Sequence, residues 1–176
     1  MPSVQDEVDR LVAAWRRERP DLDVRPFEVL SRLTRLARHL DRARRAAFAE
    51  HDLEVGEFDV LAALRRAGDP YVLSPGQLLA QTLVTSGTMT NRIDRLEERG
   101  LVQRRPDPND RRGVHVRLTA QGKARGDAAL ADLLDREREL LAGLNPKQQD
   151  ALSALLRQLV IPFEPAEQTD TQAGRP

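Results

Sequence analysis

Groups that can hydrogen-bond to phosphate and to base edges are concentrated in one stretch of the sequence, "SGTMTNRIDRLEERG", at positions 86–100. The side chains concerned are Ser86, Thr88, Thr90, Asn91 and Arg95. Hydroxyl groups and the free N–H groups at a helix start can bind phosphate, whereas amide and guanidinium groups can recognise adenine and guanine. The stretch therefore predicts contact with the major groove of double-stranded DNA. The alternative is a solvated helix face with good capping residues.

A second group of cations follows in the turn "PDPNDRR", which contains Arg111 and Arg112. Long cations on a protruding loop fit the narrow, strongly negative minor groove of DNA. The surrounding segment, residues 86–125, has ten Lys or Arg against five Asp or Glu, although the whole chain has 28 of each kind. This local excess of positive charge predicts a directed electrostatic surface. The alternative for the turn is a charged loop that only aids solubility.

The elements around these groups predict how they are held. "SPGQLLAQTL" begins with a Ser cap and a Pro at the first helical position, and a second helix follows after a few residues, which is typical of a helix-turn-helix. Alternating strands, "LVQRR" and "GVHVRLT", flank the charged turn and predict an antiparallel hairpin with Val114, Val116 and Leu118 facing inward. We therefore expect a mainly α fold with a small β-hairpin wing, a winged helix-turn-helix.

Helices at both ends of the chain carry apolar stripes. Near the N-terminus a helix capped by Ser3 would place Val8, Leu11, Val12 and Trp15 on one face. Near the C-terminus, "NPKQ" opens a helix with a leucine stripe. A small winged core has no obvious room for these stripes, so we expect a homodimer built from the terminal helices.

One domain is expected over residues 1–163, followed by a disordered tail over 164–176 that is rich in Gln, Thr, Gly and Pro. The expected parts are an extra N-terminal helix at 3–19, mainly dimerisation helices at 26–50 and 145–163, a winged DNA-binding core at 55–118 and a connecting helix at 119–144.

Several classes of function have no support in the sequence. Without cysteine the chain has no disulfide, thiol nucleophile or Cys-bound metal, and its three histidines are too scattered to suggest a metal site. Phosphate-binding loops and nucleophile–histidine motifs are missing, so we expect no enzyme activity and no cofactor. No apolar run approaches the length of a membrane span, and no signal peptide is evident; we therefore expect no membrane partner and a cytoplasmic location.

The order of elements, together with "SGTMTNRIDRLEERGLVQRRPDPNDRRGVHVRLTAQG", closely resembles the MarR family of bacterial winged-helix transcription regulators. The resemblance runs from about Arg32 to Val160, and "DRRGVHVRLT" with the following Thr-x-x-Gly is its most characteristic part. It implies an obligate dimer that binds a pseudo-palindromic operator. Such proteins usually repress a neighbouring gene and often their own.

The urate-responsive branch of that family is the sharper resemblance, because its members have an extra N-terminal helix with a tryptophan. The resemblance implies a pocket formed by Trp15 in "AAWRRERPDLD", Asp59 in "EFDVL", Arg92 in "TNRIDRL" and Arg104 in "LVQRRPD". Urate is a flat monoanion, so an aromatic wall and a planar guanidinium suit it. We expect Asp59 to pair with Arg104 in the free protein, and the anion near Arg92 to disturb that pair.

Each of these four residues also has a plainer interpretation. Trp15 could pack in a dimer core, Asp59 could be a surface acid, Arg92 could contact phosphate, and Arg104 could face DNA. Two other functions also remain open. The same regulator could respond to a different anion, such as trans-aconitate, citrate or a phenolic acid, or the chain could be an architectural DNA-binding protein without a ligand.

Overall fold

The computed structural model describes residues 5–82, 85–107 and 113–164 of the chain. The predicted cap Ser3, the two wing arginines and the tail beyond residue 164 lie outside the described residues. In chain order the elements are α1 (Glu7–Glu18), α2 (Arg25–Ala49), α3 (Val55–Arg66), β1 (Val72–Leu73), α4 (Pro75–Ala80), α5 (Ser86–Glu98), β2 (Val102–Pro106), β3 (Val114–Leu118), α6 (Ala120–Leu141), α7 (Pro146–Val160) and a 3-10 helix (Ile161–Phe163).

The helix-turn-helix forms as the sequence predicts. The Ser74 hydroxyl accepts a hydrogen bond from the Gln77 N–H and so caps α4, while Thr85 caps α5. On α5 the apolar residues Met89, Ile93 and Leu96 are buried. They pack in one core with the buried face of α3, which removes these side chains from water and fixes α5 against the rest of the domain.

The wing is part of a three-stranded antiparallel sheet of order β1-β3-β2. Arg104 of β2 lies opposite Val116 of β3, and Val102 lies opposite Leu118. Val116 and Leu118 are buried as predicted, but Val114 is 39% exposed, so its predicted inward orientation is wrong. Its pair with Pro106 lies at the tip end of the hairpin, farthest along β3 from the buried Leu118.

The first helix begins at Glu7, with Asp6 as its cap. Val8 and Val12 of the predicted stripe are buried with Val24 in a small cluster of their own, whereas Leu11 and Trp15 are 37% and 44% exposed. α1 packs on α2. Ion pairs also join the two helices, among them Arg32 with Asp9 at 2.7 Å and Arg35 with Glu7 at 2.6 Å.

Two compact units make up the chain, Met1–Glu137 and Arg138–Pro176. The second contains α7, which Asn145 caps by accepting from the Gln148 N–H. Nothing in α7 is buried, and the end of this unit exposes several large apolar side chains, namely Leu155, Leu159, Val160, Ile161 and Phe163. None of the described helices is long and apolar enough to cross a membrane.

Candidate functional site

The outer face of α5 carries the polar side chains that the sequence singles out, and they are exposed: Ser86, Thr88, Thr90, Asn91 and Arg95. At the start of the helix the Thr85 and Thr88 hydroxyls lie 3.0 Å apart, and the Thr90 hydroxyl donates to the Ser86 carbonyl at 3.1 Å. With the apolar face of α5 buried, this polar face is free to meet a partner.

Arg95 already has a partner at the start of α3. Its guanidinium donates to the Glu54 carboxylate at 2.7 Å, and both side chains are largely exposed. Surface ion pairs of this kind contribute little, about 0–1 kcal/mol. Arg95 can therefore exchange Glu54 for a DNA base or phosphate at little cost in free energy.

The base of the wing is held by hydrogen bonds at Asp107. Its backbone N–H donates to the Gly113 carbonyl at 3.0 Å, and its carboxylate lies 3.0 Å from the His115 imidazole. Arg111 and Arg112 come between β2 and β3 in the sequence and lie outside the described residues.

Arg104 does not pair with Asp59, which corrects the expectation from sequence. Its guanidinium binds two carboxylates of α5, Asp94 and, at 2.7 Å, Glu97. The Arg104 backbone N–H also donates to Glu97, at 2.7 Å. The pairing is local because β2 follows α5 after a tight turn at Gly100, where φ is +68°. Burial lowers the pKa of Arg104, but its two carboxylates raise it more. Arg104 thus ties the wing strand to α5.

Asp59 pairs instead with Arg44 of α2, a residue that the sequence analysis missed. The contact is long, 3.5 Å from Nη2 to Oδ1, and both side chains are about 40% exposed. The Nε atom of Arg44 is buried and has no hydrogen-bond partner among the described residues. The guanidinium carbon lies 5.9 Å from the centroid of the Phe48 ring. Arg44 is therefore held by packing more than by its carboxylate.

Arg92 reaches back from α5 to the surface of α3. Its guanidinium lies so close to Gly56 that a Cβ atom there would be 2.2 Å from Arg92 Cζ. Within the described part of the chain the Arg92 guanidinium has no hydrogen bond or ion pair. Gly56 and Asp59 are three residues apart on α3 and so share a face. The structure thus brings Arg92, Asp59 and Arg44 to one region.

A groove of about 430 Å³ lies between α2 and α3 beside Gly56, and Arg44, Asp59 and Arg92 are not part of its lining. Its lining includes Asp41 and Arg45 from α2 and Val55 and Gly56 from α3. That volume lies in the range of small-molecule pockets. Trp15 lies on α1, and its contact with the other three predicted pocket residues stays a prediction.

A buried ion pair fixes the other end of α5. The Glu57 carboxylate, 4% exposed, accepts from the Arg99 guanidinium at 3.0 Å and from the Glu54 backbone N–H at 2.9 Å. Arg99 also donates to the Asp52 carbonyl. α5 is therefore anchored at its C-terminal end.

The chain is similar in sequence to known transcriptional regulators. The MarR family model matches residues 51–113. The chain is 40% identical over 150 residues to the HTH-type transcriptional regulator PecS of Dickeya dadantii, covering 85% of this chain and 90% of the relative. It is 32% identical to the HTH-type transcriptional repressor NicR of Pseudomonas putida, covering 79% and 89%.

The chain also superposes on two solved structures of similar proteins. A mutant of Escherichia coli MarR in complex with operator DNA superposes with a TM-score of 0.64 at 30% identity, over 79% of this chain and 99% of the other. Bordetella bronchiseptica BpsR, whose DNA binding is regulated by 6-hydroxynicotinic acid, superposes with a TM-score of 0.57 at 30% identity, over 72% and 91%.

Proposed function

The chain belongs to the MarR family of DNA-binding transcriptional regulators, which are not enzymes, and from this premise we propose that it is a homodimeric repressor that urate or a related purine anion releases from its operator. One observation carries the proposal. α5 presents a polar outer face for DNA, while its Arg92 extends back to α3 as a cation with no ion pair among the described residues. A single helix therefore has groups for both DNA and an anion.

α5 would lie in the major groove with its exposed N-terminal face against the bases. Asn91 and Arg95 would recognise base edges, and the hydroxyl side chains of Ser86, Thr88 and Thr90 would contact phosphate. The wing arginines Arg111 and Arg112 would enter the adjoining minor groove. The similarity to MarR bound to operator DNA supports this arrangement.

The dimer is proposed on the apolar surface of the second unit. Leu155 and Leu159 are 59% and 49% exposed, and Phe163 is 86% exposed. Large exposed apolar patches mark interaction sites, and a second copy of this chain would cover them symmetrically. Two copies would place two α5 helices on the half-sites of a pseudo-palindrome.

The effector would act through Arg92. A urate anion with its ring against Trp15 and its oxygens on Arg92 would be repelled by the Asp59 carboxylate, and the resulting shift would displace α5. Because Arg104 ties β2 to α5, the wing would move with it. Allosteric couplings are typically about 1–3 kcal/mol, which is enough to weaken operator binding about 5- to 150-fold.

A different anion in the same groove is the second candidate. The observation that favours it is the similarity to BpsR, a protein regulated by 6-hydroxynicotinic acid, which is also a flat aromatic anion. Trans-aconitate, citrate and phenolic acids belong to the same test.

DNase footprinting on the DNA upstream of the gene tests the regulator. We expect protection of a discrete palindrome and loss of protection on adding urate. Arg95→Ala and Arg112→Ala should weaken operator binding, and the exposed α2 variant Arg42→Gln should not. Uniform coating of DNA without a preferred site would indicate an architectural protein instead.

The fluorescence of Trp15, the only tryptophan in the sequence, reports anion binding in parallel. Unchanged fluorescence and protection with urate would reject urate as the effector.

A further inference from the structure

Arg44 differs from three other arginines of α2 in how its guanidinium is paired. Arg32, Arg35 and Arg45 each hold a carboxylate at between 2.6 and 2.9 Å. Arg44 has only the 3.5 Å contact to Asp59, and its buried Nε has no partner among the described residues. A buried donor without a partner costs about 1–3 kcal/mol, so this guanidinium gains from any acceptor that reaches it.

Two guanidinium groups and one carboxylate lie near this face of α3. Arg44 approaches from α2 and Arg92 from α5, and Asp59 neutralises at most one of them. The local excess is one positive charge, which favours a monoanion. The groove of about 430 Å³ beside Gly56 is the nearest open space on this side of α3; it is lined by Asp41, Arg45 and Glu54 and does not itself include Arg44, Asp59 or Arg92.

We propose that Arg44 is a second cation of the effector site, and that it binds the anion by exchanging Asp59 for the anion's oxygens. The ligand class is a planar monoanion with two acceptor atoms on one edge, because a guanidinium fork donates two parallel hydrogen bonds. Arg44 and Arg92 hold the anion from α2 and α5, and Asp59 is the competitor that gives way. This inference rests on the proposed function, since it names a further residue of the same site.

The exchange explains why the free contact is long. A short, bidentate Arg44–Asp59 pair would compete strongly with the ligand, whereas a single bond at 3.5 Å is weak and is easily given up. The anion also supplies the missing partner for Nε. Binding thus connects α2, which carries Arg44, to α5, which carries Arg92.

Isothermal titration calorimetry with urate tests the inference on the full chain. Arg44→Gln should weaken urate binding about 10- to 100-fold, the range for losing a hydrogen bond between charged groups. Arg44→Lys, which keeps the charge but lacks the fork, should fall between Arg44→Gln and the wild type. Arg42→Gln, an exposed arginine of the same helix, is the matched control and should bind as the wild type does. Operator affinity without urate should stay within about threefold of the wild type in Arg42→Gln.

A double-mutant cycle separates ligand contact from a structural role. Asp59→Asn removes both the repulsion of the anion and the competitor for Arg44, so it should tighten urate binding in the wild-type background and tighten it less when Arg44→Gln is also present. A merely structural Arg44 would couple to Asp59 in the free energy of unfolding but give the same Asp59→Asn effect on urate binding in both backgrounds.

The outcomes distinguish the two proposals. If the wild type binds urate and leaves the operator, but Arg44→Gln and Arg44→Lys bind urate equally well, the role of Arg44 is wrong and the proposed function stands. If the wild type does not bind urate, trans-aconitate and salicylate are titrated in the same way. Binding of one of them that is lost in Arg44→Gln would support Arg44 and reject urate. Binding of none would overturn both proposals.

Discussion

Gly56 offers a direct way to move Arg92 without touching a charged residue. In Gly56→Ala the new Cβ would lie 2.2 Å from Arg92 Cζ. Carbon atoms in contact are about 3.5–4.0 Å apart, so the guanidinium must withdraw by more than about 1 Å. It can do so because it is the end of a flexible side chain. The substitution therefore displaces one proposed ligand contact and leaves the backbone in place.

Two opposite effects follow from this change. Alanine is a better helix former than glycine by up to about 1 kcal/mol, which for a chain of this size raises the Tm by roughly 2–4 °C. Urate affinity should fall by about 10- to 100-fold, because a displaced guanidinium loses a hydrogen bond to a charged ligand. Gain of stability with loss of binding excludes general damage as the cause.

Gly76→Ala is the matched control. Gly76 is the second residue of α4, as Gly56 is of α3, and a Cβ there would find its nearest neighbour, the Ser74 hydroxyl, at 3.8 Å. We expect a similar Tm gain and unchanged urate binding. Calorimetric titration and thermal unfolding measure both quantities. If Gly56→Ala binds urate as tightly as the wild type, the position of Arg92 against α3 has no part in the effector site.

Three further predictions concern contacts around this site. Arg104→Ala should lower the free energy of unfolding by only about 1 kcal/mol, since its pairs are partly exposed. It should nevertheless weaken operator binding, because only the backbone N–H bond to Glu97 then joins the wing strand to this face of α5. Denaturant titration measures the first effect and fluorescence anisotropy the second. Glu57→Gln should cost about 1–3 kcal/mol by chemical denaturation, because the amide replaces a buried carboxylate that accepts from Arg99. The hydrogen bond from Arg32 is the main reason why the pKa of Asp6 falls from 3.8 to about 2. The stabilisation of α1 by Asp6 is therefore complete above pH 3.8 and is lost as the pH falls through 2. Trp15 emission should follow this loss, and Asp6→Asn should abolish the acid-dependent step.

The sequence predicts the winged fold well because its signals are local. The Ser74 cap and the buried spacing of Met89, Ile93 and Leu96 depend on near neighbours, and the structure confirms them. β1 is missed, since two residues, Val72–Leu73, carry no period of their own and pair only through tertiary contact with β3.

Side-chain partners in the candidate site were harder to predict. The chain has 28 acidic residues, and spacing alone does not say that Arg104 binds Asp94 and Glu97 while Asp59 lies beside Arg44. Arg44 is one of several arginines on α2 and carries no motif of its own. Its buried Nε and its position beside Phe48 depend on how α2 packs, which no local pattern encodes.

The attachment of α1 has a kinetic consequence. Its buried contacts are a small valine cluster, and ion pairs supply much of the rest: Asp6 and Asp9 with Arg32, and Glu7 with Arg35. Such a helix opens locally while the winged core stays folded, so its amide hydrogens exchange early. Salt screens exposed ion pairs, so ionic strength sets how often α1 opens. If α1 covers a bound effector, the residence time of that effector depends on salt even where its affinity does not.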